Sequence, residues 1–314
     1  MNRYGNRAPE SNCKFCGIIS EKIVLLRLNS KNNRMKSPKL ILLLAVLTLT
    51  AVSCGSKKET PKEEAPKMLV LYYSQTGNTK AVAEAIANKL GADIEEITMV
   101  EPYDPDFQAT IDRCKKDQEQ CILPEIQPVK ADIANYDVIF LGFPVWFGTY
   151  APPVTTFLNG ADFSGKKIVP FCTFGSGGLE SSVKDLAVAE PGAEILPGYG
   201  VRAARLEAMP QEVDNFLKAN GFLEGEYIQL ADFPAQREAS ADETAIFDAA
   251  VDGYPMIHAK AKTVASRELP DGTEYLFTAV NLPREDKPDM PTDEIQVYVT
   301  VEKDKAPVFT KVIR

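Results

Sequence analysis

Three short runs in this chain carry groups suited to gripping a ligand. The first, Ser74-Gln75-Thr76-Gly77-Asn78-Thr79, offers three hydroxyls and two carboxamides around one glycine. It follows the unbroken apolar run Met68 to Tyr73, which has the length and residue types of a strand buried on both faces. Beyond it Val82, Ile86 and Leu90 recur every four residues, with Ala83 and Ala87 beside them and Gly91 placed for a left-handed C-terminal cap. A strand-to-helix turn would aim the hydroxyls of Ser74, Thr76 and Thr79, the Asn78 amide and free backbone N–H groups at one spot, with the positive helix end behind them. A phosphate monoester fits that chemistry. Gly77 allows the tight turn, and no lysine stands where a nucleoside-triphosphate loop requires one, so hydroxyls and amides must do the binding. The alternative is an ordinary polar turn.

A second strand candidate, Tyr136 to Gly142, leads into Phe143-Pro144-Val145-Trp146-Phe147-Gly148-Thr149-Tyr150. Trp146 is the chain's single tryptophan and is expected in a loop at a strand's carboxyl end, where open α/β sheets bind ligands. It could stack on a flat aromatic ligand, or with Phe147 simply plug the sheet edge. A third strand, Lys167 to Cys172, ends in Thr173-Phe174-Gly175-Ser176-Gly177-Gly178, whose glycines are expected to let the chain approach a ligand closely. Phosphate donors, an aromatic plate and exposed backbone amides on one sheet edge describe a monophosphate joined to a planar ring. That description fits flavin mononucleotide (FMN).

In these three places, and in this order, residues 68 to 222 resemble the flavodoxin family. The resemblance implies a five-stranded parallel sheet with helices on both faces. It also implies that Ser74, Gln75, Thr76, Gly77, Asn78 and Thr79 hold the FMN phosphate. Pro144, Val145, Trp146, Phe147 and Gly148 would cover one side and edge of the isoalloxazine ring, and Thr173, Phe174, Gly175, Ser176, Gly177 and Gly178 would form the other wall. The third loop departs from the best-known flavodoxins in carrying Phe174 and no tyrosine at the position usually stacked on the flavin. No long insertion interrupts the last strand, expected near Ala193 to Leu196, and a closing helix is expected from Pro210 to Asn220. The acidic insertion between Glu101 and Val129, helical from Phe107 to Gln120, is expected to cover one side of the sheet with a solvated acidic face.

Low-potential electron transfer is the expected use, because acidic surroundings disfavour added negative charge on a flavin. The runs show no catalytic acid, base or nucleophile and the chain has no GxGxxG fingerprint. A flavin-dependent reductase of quinones or other small acceptors is the alternative, and a binding module with a lost flavin site is a third class.

The ends of the chain suggest export. Residues 40 to 52 are apolar, follow Lys36 and Lys39, and are short for a membrane span; the small residues before Cys54 resemble a bacterial lipobox. That resemblance implies lipidation at Cys54 and anchoring in the bacterial cell envelope, outside the cytoplasm; a single transmembrane anchor is the alternative. Met35 begins a complete signal sequence, so residues 1–34 are expected to be a non-translated or disordered extension, 35–54 the signal peptide and 55–67 a solvated linker. The flavin domain is assigned to 68–226 and a smaller domain to 235–314. Residues 1–53 hold nine Lys and Arg against two Asp and Glu, leaving 26 against 42 in the remainder, a net of −16. Such acidity argues against nucleic acid and an anionic membrane surface as the main partner and favours either a redox partner protein with a basic docking face or simple solubility. Cys13 and Cys16 form a CxxC with no second pair or histidine nearby, and the single histidine, His258, is remote, so no metal site is expected. Cys114 and Cys121 lie seven apart, too distant to bridge within one helix; a disulfide requires the helix to end between them.

Past Pro234-Ala235-Gln236-Arg237 the pattern turns to a helix, Ala241 to Ala250, and four strands. Alternation over Ala259 to Arg267 and Glu274 to Asn281, around Pro270-Asp271-Gly272-Thr273, predicts one hairpin; Ile295 to Lys303 and Val308 to Ile313 predict another. This small α+β region, with Lys262-Thr263-Val264-Ala265-Ser266 ahead of Gly272-Thr273-Glu274-Tyr275, resembles the cystatin fold, a helix gripping a curved sheet. A docking or stabilising role is expected, without carrying over protease inhibition.

Overall fold

The computed structural model describes residues 65–283 and 292–314. The expected extension and signal peptide, Cys13, Cys16, the expected lipidation residue Cys54 and most of the expected linker lie outside the described residues. Among the described residues, no helix is long and apolar enough to cross a membrane.

β1 (Met68–Tyr72) lies between β2 (Asp93–Glu96) and β3 (Val138–Trp146), and β3 continues the parallel sheet to β5 (Lys167–Phe174). Side chains of β1 alternate between two cores, as a strand covered on both faces requires. Leu69 and Leu71 join Ile139, Leu141 and Phe143 beneath α3 (Pro152–Gly160) and α4 (Leu179–Ala189). Val70 and Tyr72 join Phe140 and Phe171 beneath α1 (Asn78–Leu90) and α5 (Met209–Ala219). Val82, Ala83, Ile86 and Ala87 form the buried stripe of α1, and Gly91 ends it at φ 62° with its N–H donating to the Ala87 carbonyl.

The five parallel positions expected are present, but the fifth is split. β6 (Glu194–Ile195) pairs with the start of β5 and β7 (Tyr199–Arg202) with its end. Leu196-Pro197-Gly198 interrupts them, since proline lacks the N–H a ladder needs and the bare face of Gly198 meets the Pro170 carbonyl. A short antiparallel strand, β4 (Thr149–Tyr150), folds back on the end of β3. The insertion forms α2 (Phe107–Glu119), so its helix ends before Cys121. Cys114 nonetheless stays a buried free thiol, and the Cys114–Cys121 bond does not form. Burial pushes that thiol's pKa up and keeps it neutral.

The C-terminal sheet runs β12 (Val308–Ile313), β11 (Glu294–Glu302), β10 (Gly272–Asn281), β9 (Ala259–Leu269) and the short β8 (Arg237–Glu238), all antiparallel. Both expected hairpins are present. Helix α6 (Ala241–Val251) lays Phe247 on Phe277, ring centroids 5.3 Å apart. Its start is fixed by a reciprocal cap, in which the Glu243 N–H donates to Ser240 Oγ and the Ser240 N–H to Glu243 Oε2. Arg237 clamps the same carboxylate at 2.6 and 2.8 Å and holds its pKa down to about 2.

Candidate functional site

The three runs singled out in the sequence emerge at the carboxyl ends of β1, β3 and β5, three adjacent strands. In the first loop Gly77 caps α1 at φ 86° and offers no capping side chain, with open space where a Cβ would stand, while Ser74 Oγ accepts from the Lys80 N–H of the first turn at 3.2 Å. The backbone N–H groups of Gln75, Thr76, Gly77, Asn78 and Thr79 have no protein acceptor among the described residues. Thr76 and Gly77 are exposed, and Ser74, Gln75 and Asn78 half-buried. A helix start that keeps five unused N–H donors beside these hydroxyls suits an anion. Two residues of the run do something else. Thr79 is buried and its hydroxyl lies 2.8 Å from that of Thr173, joining the first loop to the third. The pair owns two hydroxyl hydrogens and spends one on the shared bond. Gln75 accepts from the Tyr73 hydroxyl at 2.7 Å and donates to the carbonyls of Tyr103 and Asp104 at 3.4 and 3.1 Å, so its amide ties the insertion to the loop.

In the second loop Phe147 and Gly148 both take positive φ, 51° and 85°, closing a two-residue hairpin between Trp146 and Thr149. Such turns favour asparagine and glycine; a phenylalanine there is strained, and its ring is 53 % exposed. Trp146 is half-buried. Tyr103 meets it edge-on at 5.1 Å and Tyr73 at 6.1 Å, so the insertion sets the indole's tilt. Arg113 lies 4.7 Å from the centre of the Tyr103 ring and donates to the Pro102 carbonyl at 2.8 Å, fastening this support. The buried Thr149 hydroxyl, beside the hairpin, has no partner among the described residues.

The third loop differs most from expectation. Phe174 is only 5 % exposed and belongs to the core beneath the sheet, so it offers no open ring. The glycines, expected to admit a ligand, turn their bare faces to protein. A Cβ on Gly177 would stand 2.1 Å from the Val312 carbonyl oxygen, one on Gly175 2.9 Å from the Tyr254 hydroxyl, and one on Gly178 2.5 Å from Val145. Two of these neighbours belong to the C-terminal region. Ser181 spans the second and third loops, donating to the Gly148 carbonyl at 2.5 Å and lying 3.1 Å from that of Gly178. What remains for a ligand is the loop's N–H edge, since those of Gly175, Ser176 and Gly177 have no acceptor among the described residues.

Sequence reasoning found the three loops but missed the side chains that hold them. Tyr103 and Arg113 lie in the insertion read as a solvated face, and Arg202 stands on the unanticipated β7. The aromatic of Tyr103-Asp104-Pro105-Asp106 was the available signal, because a tyrosine in an otherwise acidic segment has something to cover.

Residues 67–216 match the family model described as Flavodoxin. Among curated relatives, "NAD(P)H dehydrogenase (quinone) 3" of Rhizobium meliloti is 34% identical over 129 residues, which is 37% of this chain and 58% of that protein. The protein named NAD(P)H dehydrogenase (quinone) in Cupriavidus metallidurans is 35% identical over 98 residues, 30% of this chain and 46% of that protein. The chain thus spans about half the length of the curated relatives it matches. Among solved structures, a flavoprotein in complex with FMN from Lactobacillus acidophilus is 29% identical, covering 43% of this chain and 93% of its own, at a TM-score of 0.39.

Proposed function

Because residues 67–216 are a flavodoxin-like domain, we propose that this chain binds FMN across the three-loop rim and serves as an electron carrier. The observation that carries this reading is the start of α1, where the unpartnered N–H groups of Gln75 to Thr79 meet the Ser74 and Thr76 hydroxyls, on the same sheet edge as Trp146 and Phe147. Ser74, Thr76, Asn78 and the amides around Gly77 would hold the phosphate. Trp146, braced by Tyr73 and Tyr103, and the exposed Phe147 would cover the ring and exclude water from it, while the third loop's N–H edge would meet its polar rim. FMN, when bound, supplies reversible one- and two-electron transfer. The chain's acidity favours a low potential and a basic partner protein, and lipidation at Cys54 would keep the domain at the cell envelope. The names of the curated relatives favour a second reading, a nicotinamide-dependent quinone reductase.

Loading the purified chain with FMN and mixing it with NADH or NADPH, alone and with a quinone, separates the two readings. A carrier keeps its yellow colour with nicotinamide, loses it with dithionite and regains it on giving electrons to a protein acceptor. Bleaching by nicotinamide with quinone turnover would establish the enzyme and overturn the carrier.

The strained turn carries its own prediction. Phe147→Asn suits a left-handed turn position and is expected to stabilise the fold by about 0.5–1 kcal/mol, raising the melting temperature by about 1–4 °C. The same change removes the exposed ring and is expected to weaken FMN about tenfold. A variant neither more stable nor weaker in binding would show that the strain serves no ligand.

A further inference from the structure

The C-terminal sheet is built into the third loop. Its edge strand β12 runs against the loop, with the Val312 N–H donating to the Ser176 carbonyl at 2.6 Å and the Val312 carbonyl filling the space left by the missing side chain of Gly177. Arg202, at the end of β7, donates from Nε to the Gly175 carbonyl at 2.9 Å and from a terminal nitrogen to the Phe309 carbonyl at 3.2 Å. Its guanidinium lies 3.5 Å from the centre of the Phe309 ring and 5.1 Å from that of Tyr254. Lys311 reaches Glu180 in the first turn of α4 at 2.7 Å. The carbonyls of Gly175 and Ser176 are therefore both held from the side of the C-terminal sheet and β7.

No peptide bond among the described residues is cis. In a trans peptide the N–H points opposite to the carbonyl of the same plane. Fixing the Gly175 carbonyl therefore aims the Ser176 N–H away from Arg202, and fixing the Ser176 carbonyl aims the Gly177 N–H away from β12. Those N–H groups have no protein acceptor among the described residues. A glycine-rich loop left to itself samples many orientations and loses more entropy on ordering than other sequences. Here that cost is met in folding rather than in binding, which raises ligand affinity without any added ligand contact.

We propose that Arg202 and strand β12 are positioning elements for the flavin site: they preset the Ser176 and Gly177 amides as donors to the ring end of the ligand. This rests on the FMN reading above. It gives the C-terminal region a defined task, the ordering of one wall of the site, and it distinguishes the ring end from the phosphate end, which β12 does not touch.

Riboflavin, which lacks the phosphate, is the probe that separates the two ends. With the full chain, Arg202→Ala is expected to weaken riboflavin and FMN alike, each about tenfold, leaving the ratio of their dissociation constants as in the wild type. A general loss of structure would be seen in the melting curve and near-ultraviolet circular dichroism, which are expected to retain a cooperative transition. Amide hydrogen exchange on the wild-type chain supplies a second measurement that needs no variant: the Val312 N–H should be protected with and without riboflavin, and those of Ser176 and Gly177 only with it. Unchanged riboflavin affinity in a folded Arg202→Ala chain, or Ser176 and Gly177 amides that riboflavin leaves unprotected, would overturn the inference while leaving FMN binding standing. A wild-type chain that binds neither flavin would overturn both.

Discussion

Replacing Ser74 by Ala and Thr76 by Val together is expected to weaken FMN binding about 100-fold and to leave riboflavin affinity within about threefold of the wild type. Each hydroxyl that bonds a phosphate oxygen makes a hydrogen bond to a charged group, worth about 1.5–3 kcal/mol, and each 1.4 kcal/mol is tenfold in affinity. The loss stays near the lower end of that range because the loop's N–H groups remain to share the phosphate. Ser74 Oγ also accepts from the Lys80 N–H at 3.2 Å, on the exposed first turn of α1, where water can replace it at small cost to stability. Thr79 is left out of the variant because its hydroxyl is buried against Thr173, and its loss would mix a packing defect with a binding one. Fluorescence titration with both flavins checks the outcome. Equal losses for FMN and riboflavin would place the phosphate elsewhere.

The second large effect concerns the frame. Gly142→Ala is expected to destabilise the domain by about 3 kcal/mol, lowering the melting temperature by about 6–12 °C. Gly142 stands opposite Phe171 across the β3–β5 pair, and a Cβ there would lie 2.1 Å from the tip of the Phe171 ring. That ring is fully buried, among Val70, Phe140 and Val201, and has nowhere to retreat. The disturbance would also reach the ligand loops, since the Gly142 carbonyl accepts the Tyr73 N–H at 3.0 Å at the root of the first loop. Phe171→Leu in the Gly142→Ala background should recover at least half of the loss, because the shorter side chain vacates the contested space. Thermal unfolding of the two single variants and the double variant checks this, and independent, additive losses would contradict it.

The elements that position the site were legible because two periodicities are strong in this chain. Met68 to Tyr72 is too uniformly apolar for a half-exposed strand, and Val82, Ile86 and Leu90 keep helical spacing to Gly91, where a left-handed cap was expected and is found. The glycines were legible as points of close approach, but not what approaches them. In the third loop Gly175 and Gly177 admit Tyr254 and Val312 of a distant part of the chain, and no local pattern encodes contacts 79 and 135 residues away. Phe174 illustrates the same limit: alternation along β5 does not tell which face of a twice-covered strand a ring takes. The second piece of the fifth strand escaped notice because a proline and a glycine broke its apolar run. Charge misled in the insertion, whose acidic residues are mostly solvated while Tyr103 turns inward to Trp146.

One rim is expected to hold both ends of one flavin, and a direct binding measurement on the purified chain tests this. Titration with FMN, followed by quenching of flavin fluorescence, is expected to saturate at one flavin per chain with a dissociation constant of about a micromolar or below, and with riboflavin bound more weakly by the contribution of the phosphate. A folded chain whose addition leaves FMN fluorescence and visible absorption unchanged at about 100 micromolar would contradict it.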